Sequence, residues 1–391
     1  MTSRAPARRR ATAPRRAPAP RRALATPELD RQIADARART IVVWRGERTL
    51  LPSLPERIGR LDDRLAREQA YAAYGEALDA LNPLYEARLA AWRDAGDVRA
   101  LAANEGTDPA VMASDLERLT FNIETPYYAA LRRNLALIGI EQGDALEADL
   151  WYIERGGSWS SWFGPREAQR ALAAARRTLH EIADVDGWRA VGAQLRGEDS
   201  DGIGTAVVGA AYTSLIADPV WLADEIGMGR EQVAAFVDFA TFVRLLHLRR
   251  AQAELTYELR LYPATDVALE RAYYTGIVGH LIGATVAEAG YLAAIDRPFG
   301  SVRRLETALL GAMLVEVLEA RHGPRWWSES EAIPLVERVG ASTSLADALV
   351  ELGYDALDWR PVLRQIRTRL IGEMSGYGGP NITTRAGTRK V

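Results

Sequence analysis

Apolar residues recur along most of the chain at steps of three and four, the spacing that lines up one face of a helix. Leu61, Leu65, Tyr71, Tyr74, Leu78, Leu81, Leu84 and Leu89 make the first such run. Asp108-Pro109 offers a capping side chain and a first-turn proline, opening a second helix through Met112, Leu116 and Leu119. Pro126 interrupts that helix or starts the next, which carries Tyr127, Tyr128, Leu131, Leu135 and Ile138 and closes at Gly139 and Gly143. A further helix is predicted from Glu167 to about Ile182. From Thr205 to Arg260 three helical pieces follow, broken at Asp218-Pro219 and at Gly227 and Gly229. The last of them bears Phe236, Phe239, Phe242, Leu246, Leu255 and Leu259 on a broad apolar face. More helices are predicted over 266–295, 301–322, 331–338 and 358–372. No alternating apolar and polar run of useful length appears, so the fold class is all-α.

Other stretches break the period. Residues 155–165, with their Gly, Ser and Trp, form the clearest non-helical connection, and 184–204, rich in Asp and Gly, should be largely loop. The tail 375–391 looks frayed. Thr26-Pro27-Glu28 marks the first helix start, and the Ala/Pro/Arg stretch before it should be disordered. This divides the chain into a tail (1–26), an N-terminal helical lobe (27–183), a loop (184–204), a C-terminal helical lobe (205–374) and a flexible end (375–391).

Composition adds a charge asymmetry. Of 391 residues, 48% are hydrophobic and 26% charged, enough apolar material for one large helical body or two lobes. Net charge is −3, but eight Arg and no acid lie in residues 1–26. Of the 49 Lys and Arg, 41 therefore remain to face 52 acids in the body. A basic tail on an acidic body suggests a partner for the tail, either an acidic protein surface or nucleic-acid phosphates. The absence of cysteine excludes disulfides and thiolate zinc sites. The basic N-terminus lacks the apolar segment of a secretory signal, so the expected location is cytoplasmic. The most apolar stretch, Tyr273 to Ile295, contains His280 and Glu288 and reads as a buried helix rather than a membrane span.

The second half carries a resemblance. His247-Leu-Arg-Arg-Ala-Gln-Ala-Glu-Leu-Thr-Tyr-Glu-Leu-Arg-Leu261 resembles the arginine-rich helix of oligoendopeptidase and thimet-type zinc metallopeptidases. Ala217-Asp-Pro-Val-Trp-Leu222 is similar to the step between helices in that family, and Arg321-His-Gly-Pro-Arg-Trp-Trp327 to one of its turns. Ala148-Asp-Leu-Trp-Tyr-Ile-Glu-Arg155 and, more weakly, Leu81-Asn-Pro-Leu-Tyr85 extend the likeness, which rests on the order and spacing of these segments. The resemblance implies a helical body whose lobes flank a channel.

It also exposes a gap. The family needs HExxH: two histidines one turn apart hold zinc, and the glutamate between them activates its water. The four histidines, at 180, 247, 280 and 322, include no such pair. The nearest imitation is His180-Glu181-Ile182-Ala183-Asp184, with His180 and Asp184 as metal candidates. The resemblance puts that segment before the catalytic region. Between Trp188 and Thr205 only sixteen residues remain, where the family has its strands and catalytic helix. The third ligand would fall near Ala206, in a stretch without carboxylates, and Phe299 to Arg304 lacks the family's oxyanion-binding tyrosine. No cofactor is expected.

Glu254 and Tyr257, beside Glu258, Arg249 and Arg250, are the candidate acid/base residues. Their helical spacing equally describes an ion-pair network on one face. Trp151, Trp159 and Trp162 suit ligand stacking or lobe packing. Gly202 and Gly204, and Gly227 and Gly229, follow no strand and are not phosphate loops. The leading expectation is a catalytically inactive oligoendopeptidase-like protein that binds a peptide or protein, such as an active metallopeptidase relative. The alternatives are an atypical HExxD peptidase, a metal-free hydrolase built on Glu254 and Tyr257, and a structural protein with a nucleic-acid-binding tail.

Overall fold

The computed structural model describes residues 27–103, 106–158 and 203–370. Helix α1 (Pro27–Arg39) begins on a proline with Glu28 and Asp30 in its first turn and ends on Arg37 and Arg39, charges that oppose the ends of the helix dipole. A small hairpin follows, β1 (Ile41–Trp44) and β2 (Glu47–Leu50), antiparallel with Trp44 opposite Glu47. Its turn, Arg45-Gly46, has positive φ at both residues, the twist a two-residue hairpin needs. Strands of four residues are too short to declare an alternation, and this hairpin was not expected from the pattern. It is the only sheet among the described residues, and the fold is all-α.

The first helical group comprises α2 (Leu54–Ile58), α3 (Arg64–Asp79), α4 (Asn82–Asp94), α5 (Val98–Ala103), α6 (Pro109–Leu137) and α7 (Glu147–Glu154). Asp63 caps α3 and Asp108 caps α6 through their carboxylates. Helix α6 runs unbroken through Pro126, where the sequence left a break open. Its flanking turns and its packing on the second group hold it through the missing donor.

The second group comprises α8 (Ile203–Thr213), α9 (Pro219–Asp224), α10 (Arg230–Leu261), α11 (Glu270–Ile282), α12 (Gly290–Ala293), α13 (Gly300–His322), α14 (Ile333–Gly340), α15 (Leu345–Leu352) and α16 (Arg360–Leu370). Asp218 starts α9 by accepting the N–H groups of Val220 and Trp221 at 2.9 and 2.8 Å. The 32-residue α10 is the axis of the molecule and packs against α6, α11, α13 and α16. Phe236, Phe242, Leu246 and Leu255 of α10 are buried with Tyr127 and Leu131 of α6 and Leu305 and Leu309 of α13. Each such side chain contributes about 1.5–3 kcal/mol by leaving water.

Backbone proximity limits α8. A Cβ on Gly204 would lie 2.2 Å from the Val339 carbonyl oxygen, so only glycine lets α8 sit this close to α14. Three expectations change. The predicted helix 266–295 is two helices, because Gly283 adopts φ +70 and ends α11 with a left-handed cap. Residues 203 and 204 belong to α8 rather than to a loop, and α15 is an additional helix. The tail 1–26, the helix from Glu167, the rest of the 184–204 loop and the end 375–391 lie outside the described residues. Among the described residues no helix is long and apolar enough to cross a membrane.

Candidate functional site

The short helix α7 carries three acids, and its geometry sends them two ways. Its start is pinned by a bridge: Glu147 N–H donates to the Thr285 carbonyl at 2.9 Å and Thr285 N–H to the Ala145 carbonyl at 2.8 Å. Asp149 turns toward α3. Its Oδ1 accepts from Arg67 Nε at 3.1 Å and lies 3.1 Å from Nη2, and its Oδ2 accepts the Leu146 N–H at 3.0 Å. Arg67 Nη1 donates to the carbonyls of Leu61 and Asp62, and the guanidinium lies 4.3 Å from the Tyr152 ring centre. This pair is sealed, at 2% and 0% exposure.

Glu147 and Glu154, seven residues apart, share another face of α7 and meet α10. There His247, Arg250 and Glu254 stand at helical spacing. Arg250 Nη1 donates to Glu154 Oε1 at 3.1 Å, and its Nη2 lies 3.7 Å from Glu147 Oε1. His247 Nε2 is 3.5 Å from the same Glu154 oxygen. Glu147 Oε2 accepts the Tyr71 hydroxyl at 2.8 Å, and that hydroxyl accepts the Ala287 N–H at 2.8 Å. Glu254 is ion-paired to Arg304 of α13. Arg250, Glu147, Glu154 and Glu254 retain between 15 and 22% exposure, so the seam is a narrow crevice that solvent reaches. Tyr74, Trp151 and Tyr274 wall it; Trp151 stands edge-on to Tyr71 and Tyr74, with ring centres 5.3 and 5.5 Å away.

The charges in this crevice hold one another. Burial works against the Glu154 carboxylate, but Arg250 and His247 outweigh it and keep Glu154 below the usual range. Burial also penalises the Arg250 cation, yet Glu154, Glu147 and Glu254 raise its affinity for the proton above the ordinary value. Glu254 is pushed up by burial, against the pull of Arg304 and Arg250. Burial and the Glu147 charge lift the Tyr74 hydroxyl to about 12. Two donors are left over: among the described residues Nε and Nη2 of Arg250 are buried without a hydrogen-bond partner.

Of the residues singled out from sequence, Arg250, Glu254 and Trp151 fall in this crevice. Tyr257 is elsewhere. Its buried ring stacks on Tyr273 and meets Tyr274 edge-on, and its hydroxyl has no hydrogen-bond partner among the described residues. Burial, with the Glu270 charge added to it, pushes this hydroxyl up, and no hydrogen bond links Tyr257 to Glu254 among the described residues. Glu258 is buried and caps α13 from outside, accepting from the Phe299 N–H, from Ser301 Oγ at 3.0 Å and from the Tyr262 hydroxyl at 3.0 Å. Burial raises its carboxyl to about 7 in spite of these donors. Arg249 points away, donating to the Leu281 carbonyl at 3.0 Å and facing the rings of Tyr127 and Tyr128. Trp326 packs edge-on against Tyr212. Trp159, Trp162, His180 and Asp184 lie outside the described residues. Among the described residues no three His, Asp or Glu side chains form a group able to hold a metal ion.

Sequence reasoning missed Glu147, Glu154, Arg304 and Tyr274. The face made by His247, Arg250 and Glu254 is legible from spacing, but its partners lie 50 to about 100 residues away and only packing brings them in. An open groove of about 680 Å³ also runs between α6 and α11, lined by Tyr128, Arg132, Thr275 and His280 among others. It lacks the crevice's converging charges. Comparison with protein-family models, with curated proteins and with solved structures finds no match to the chain.

Proposed function

We propose that the chain is a non-catalytic relative of oligoendopeptidases that binds a peptide, or an extended segment of a partner protein, in the crevice between α7 and α10. The observation that carries this reading is the unequal state of Arg250. Nη1 is hydrogen-bonded to Glu154 and Nη2 is ion-paired to Glu147 at 3.7 Å, too long for a hydrogen bond, while among the described residues Nε has no acceptor. Buried donors left unpaired cost about 1–3 kcal/mol each, and more on a charged group. An extended backbone offers carbonyl oxygens to such donors and N–H groups to the neighbouring carboxylates.

Binding is favoured over hydrolysis by the state of the acids. A general base must reach its substrate with a free lone pair. Glu154 is engaged by Arg250 and His247, Glu254 by Arg304, and Glu147 by Tyr71 and Arg250. The carboxyl that titrates nearest neutrality, Glu258, is enclosed by three donors. The resemblance lends further support, because its segments 148–155 and 247–261 supply the two walls that meet here. The partner in this reading is a protein or peptide, an active metallopeptidase relative being one candidate.

The test uses the full chain and a mixture of unblocked five-residue peptides carrying a fluorophore. Anisotropy should rise and saturate, and mass spectrometry should recover the peptides intact, with or without chelator. Cleavage that disappears in Glu254→Gln would replace this reading with hydrolysis, and absence of saturable binding would remove it.

A further inference from the structure

The hairpin of β1 and β2 has a covered face and an open one. Val42 and Trp44 are buried, whereas Ile41, Val43 and Leu50 are 46, 59 and 48% exposed. Ile41 stands opposite Leu50 and Val43 opposite Arg48, so these four side chains share the open face. Three of the nine large apolar residues that stand exposed among the described residues are thus gathered on one small sheet.

The ladder fixes which main-chain groups are spare. Leu51 N–H donates to the Thr40 carbonyl at 2.9 Å. Bonded pairs alternate in an antiparallel ladder, so Val42 with Thr49 and Trp44 with Glu47 are bonded pairs too. Arg48 therefore turns its N–H and its carbonyl away from β1, and Leu50 its N–H. None of these three groups has a hydrogen-bond partner among the described residues. Such an edge is a template for another strand. Helix α3 packs against β1 and α1, more lightly, against β2. Arg45 further ties the β1 end of the turn to Asp63 and Gln69, so β2 is the freer edge.

Charge selects the occupant. Of the charges on the hairpin and at its entry, Arg39 pairs with Asp35, Arg45 with Asp63 and Glu47 with Arg57. Arg48 is exposed and has no ion pair among the described residues, which leaves one positive charge in surplus on the open face. A second copy added along β2 would set Arg48 against Leu50 or against another Arg48 and leave that charge unanswered. An acid directly opposite Arg48 answers it, and an apolar residue two positions away meets Leu50.

We propose that β2 docks an extended, acidic segment of a partner protein as a third, antiparallel strand. The residue opposite Arg48 is an acid that exchanges both main-chain hydrogen bonds with it. The residue two positions earlier is apolar, and its carbonyl accepts the Leu50 N–H. This surface is separate from the crevice and independent of what the crevice binds.

The probe is the peptide Thr-Val-Thr-Glu-Thr, acetylated and carrying a fluorophore at its C-terminus, titrated to millimolar concentration against the full wild-type chain. Its anisotropy should rise and saturate. Replacing its Glu by Lys should weaken binding about fivefold, and Arg48→Glu, checked for folding by circular dichroism, should reverse that preference. N-methylation at the Glu nitrogen, which faces Arg48, should weaken binding about fivefold or more, while N-methylation at the central Thr nitrogen, which faces away, should change it by less than about twofold. No saturation, or an unchanged charge preference in Arg48→Glu, would overturn the proposal. Equal losses from the two N-methylations would overturn strand addition. A loss in Arg250→Lys with none in Arg48→Glu would move the peptide to the crevice. Sedimentation showing a dimer that Arg48→Glu dissolves would make a second copy the occupant, and either of these last results overturns docking of an acidic segment.

Discussion

Arg67 and Arg250 approach α7 from opposite sides, and the chain treats them differently. Nε and Nη1 of Arg67 have acceptors at 2.7–3.1 Å and Nη2 is ion-paired to Asp149 at 3.1 Å, its ring neighbour Tyr152 covers it, and Asp149 is closed to solvent. Arg250 meets two carboxylates, stays partly open, and among the described residues has no hydrogen-bond acceptor for Nε or for Nη2, which faces Glu147 at 3.7 Å. A buried charge whose partners are complete fixes structure, whereas one whose partners are incomplete has room for a ligand. One eight-residue helix carries both, with Asp149 on the closed side and Glu147 and Glu154 on the open side.

The largest effect should come from the closed side. Asp149→Ala leaves Arg67 buried without its counter-charge and should cost about 3–5 kcal/mol in a denaturant melt. A loss below about 1 kcal/mol would erase the contrast between the two arginines. Next in size is Glu258, whose role is structural. Its folded-state carboxyl titrates near 7, above the ordinary value of 4.5, because burial penalises the ionised form. Its stabilising contribution is therefore complete below about 4.5 and is lost as pH rises through about 7, a change of roughly 3 kcal/mol. Glu258→Gln should remove that slope; identical pH–stability curves for both proteins would contradict the assignment. The same substitution at both arginines then sharpens the comparison. Arg67→Lys loses the forked donors and should cost about 2–3 kcal/mol. Arg250→Lys keeps a cation beside Glu147 and Glu154 and should change stability by less than about 1 kcal/mol. Equal shifts in melting temperature for the two lysine variants would break the distinction.

What the sequence revealed was local. Asp108-Pro109 and Asp218-Pro219 start helices by hydrogen bonds within three residues, and both starts stand where the sequence places them. Gly283 ends α11 because φ turns positive there, but inside an apolar stretch a glycine does not announce its φ, and the two helices read as one. The hairpin at 41–50 was too short to leave a period, though Arg45-Gly46 is turn chemistry in hindsight. The candidate site was half legible. The α10 face through Arg250 and Glu254 follows from spacing, and it does form an ion-pair network. Tyr257, three residues from Glu254, rotates into the tyrosine cluster instead, because burial of its ring against Tyr273 and Tyr274 decides its direction. Glu147, Glu154 and Arg304 reach α10 only through the packing of α7 and α13, a long-range result that no local pattern encodes.

The most direct test of the open arginine is a calorimetric titration of one unblocked five-residue peptide into the wild-type chain and into Arg250→Lys. Binding to the wild type should saturate and should weaken on the order of tenfold or more in a variant that melts within a few degrees of it. Undiminished binding to Arg250→Lys would show that Nε and Nη2 are not where the peptide is held.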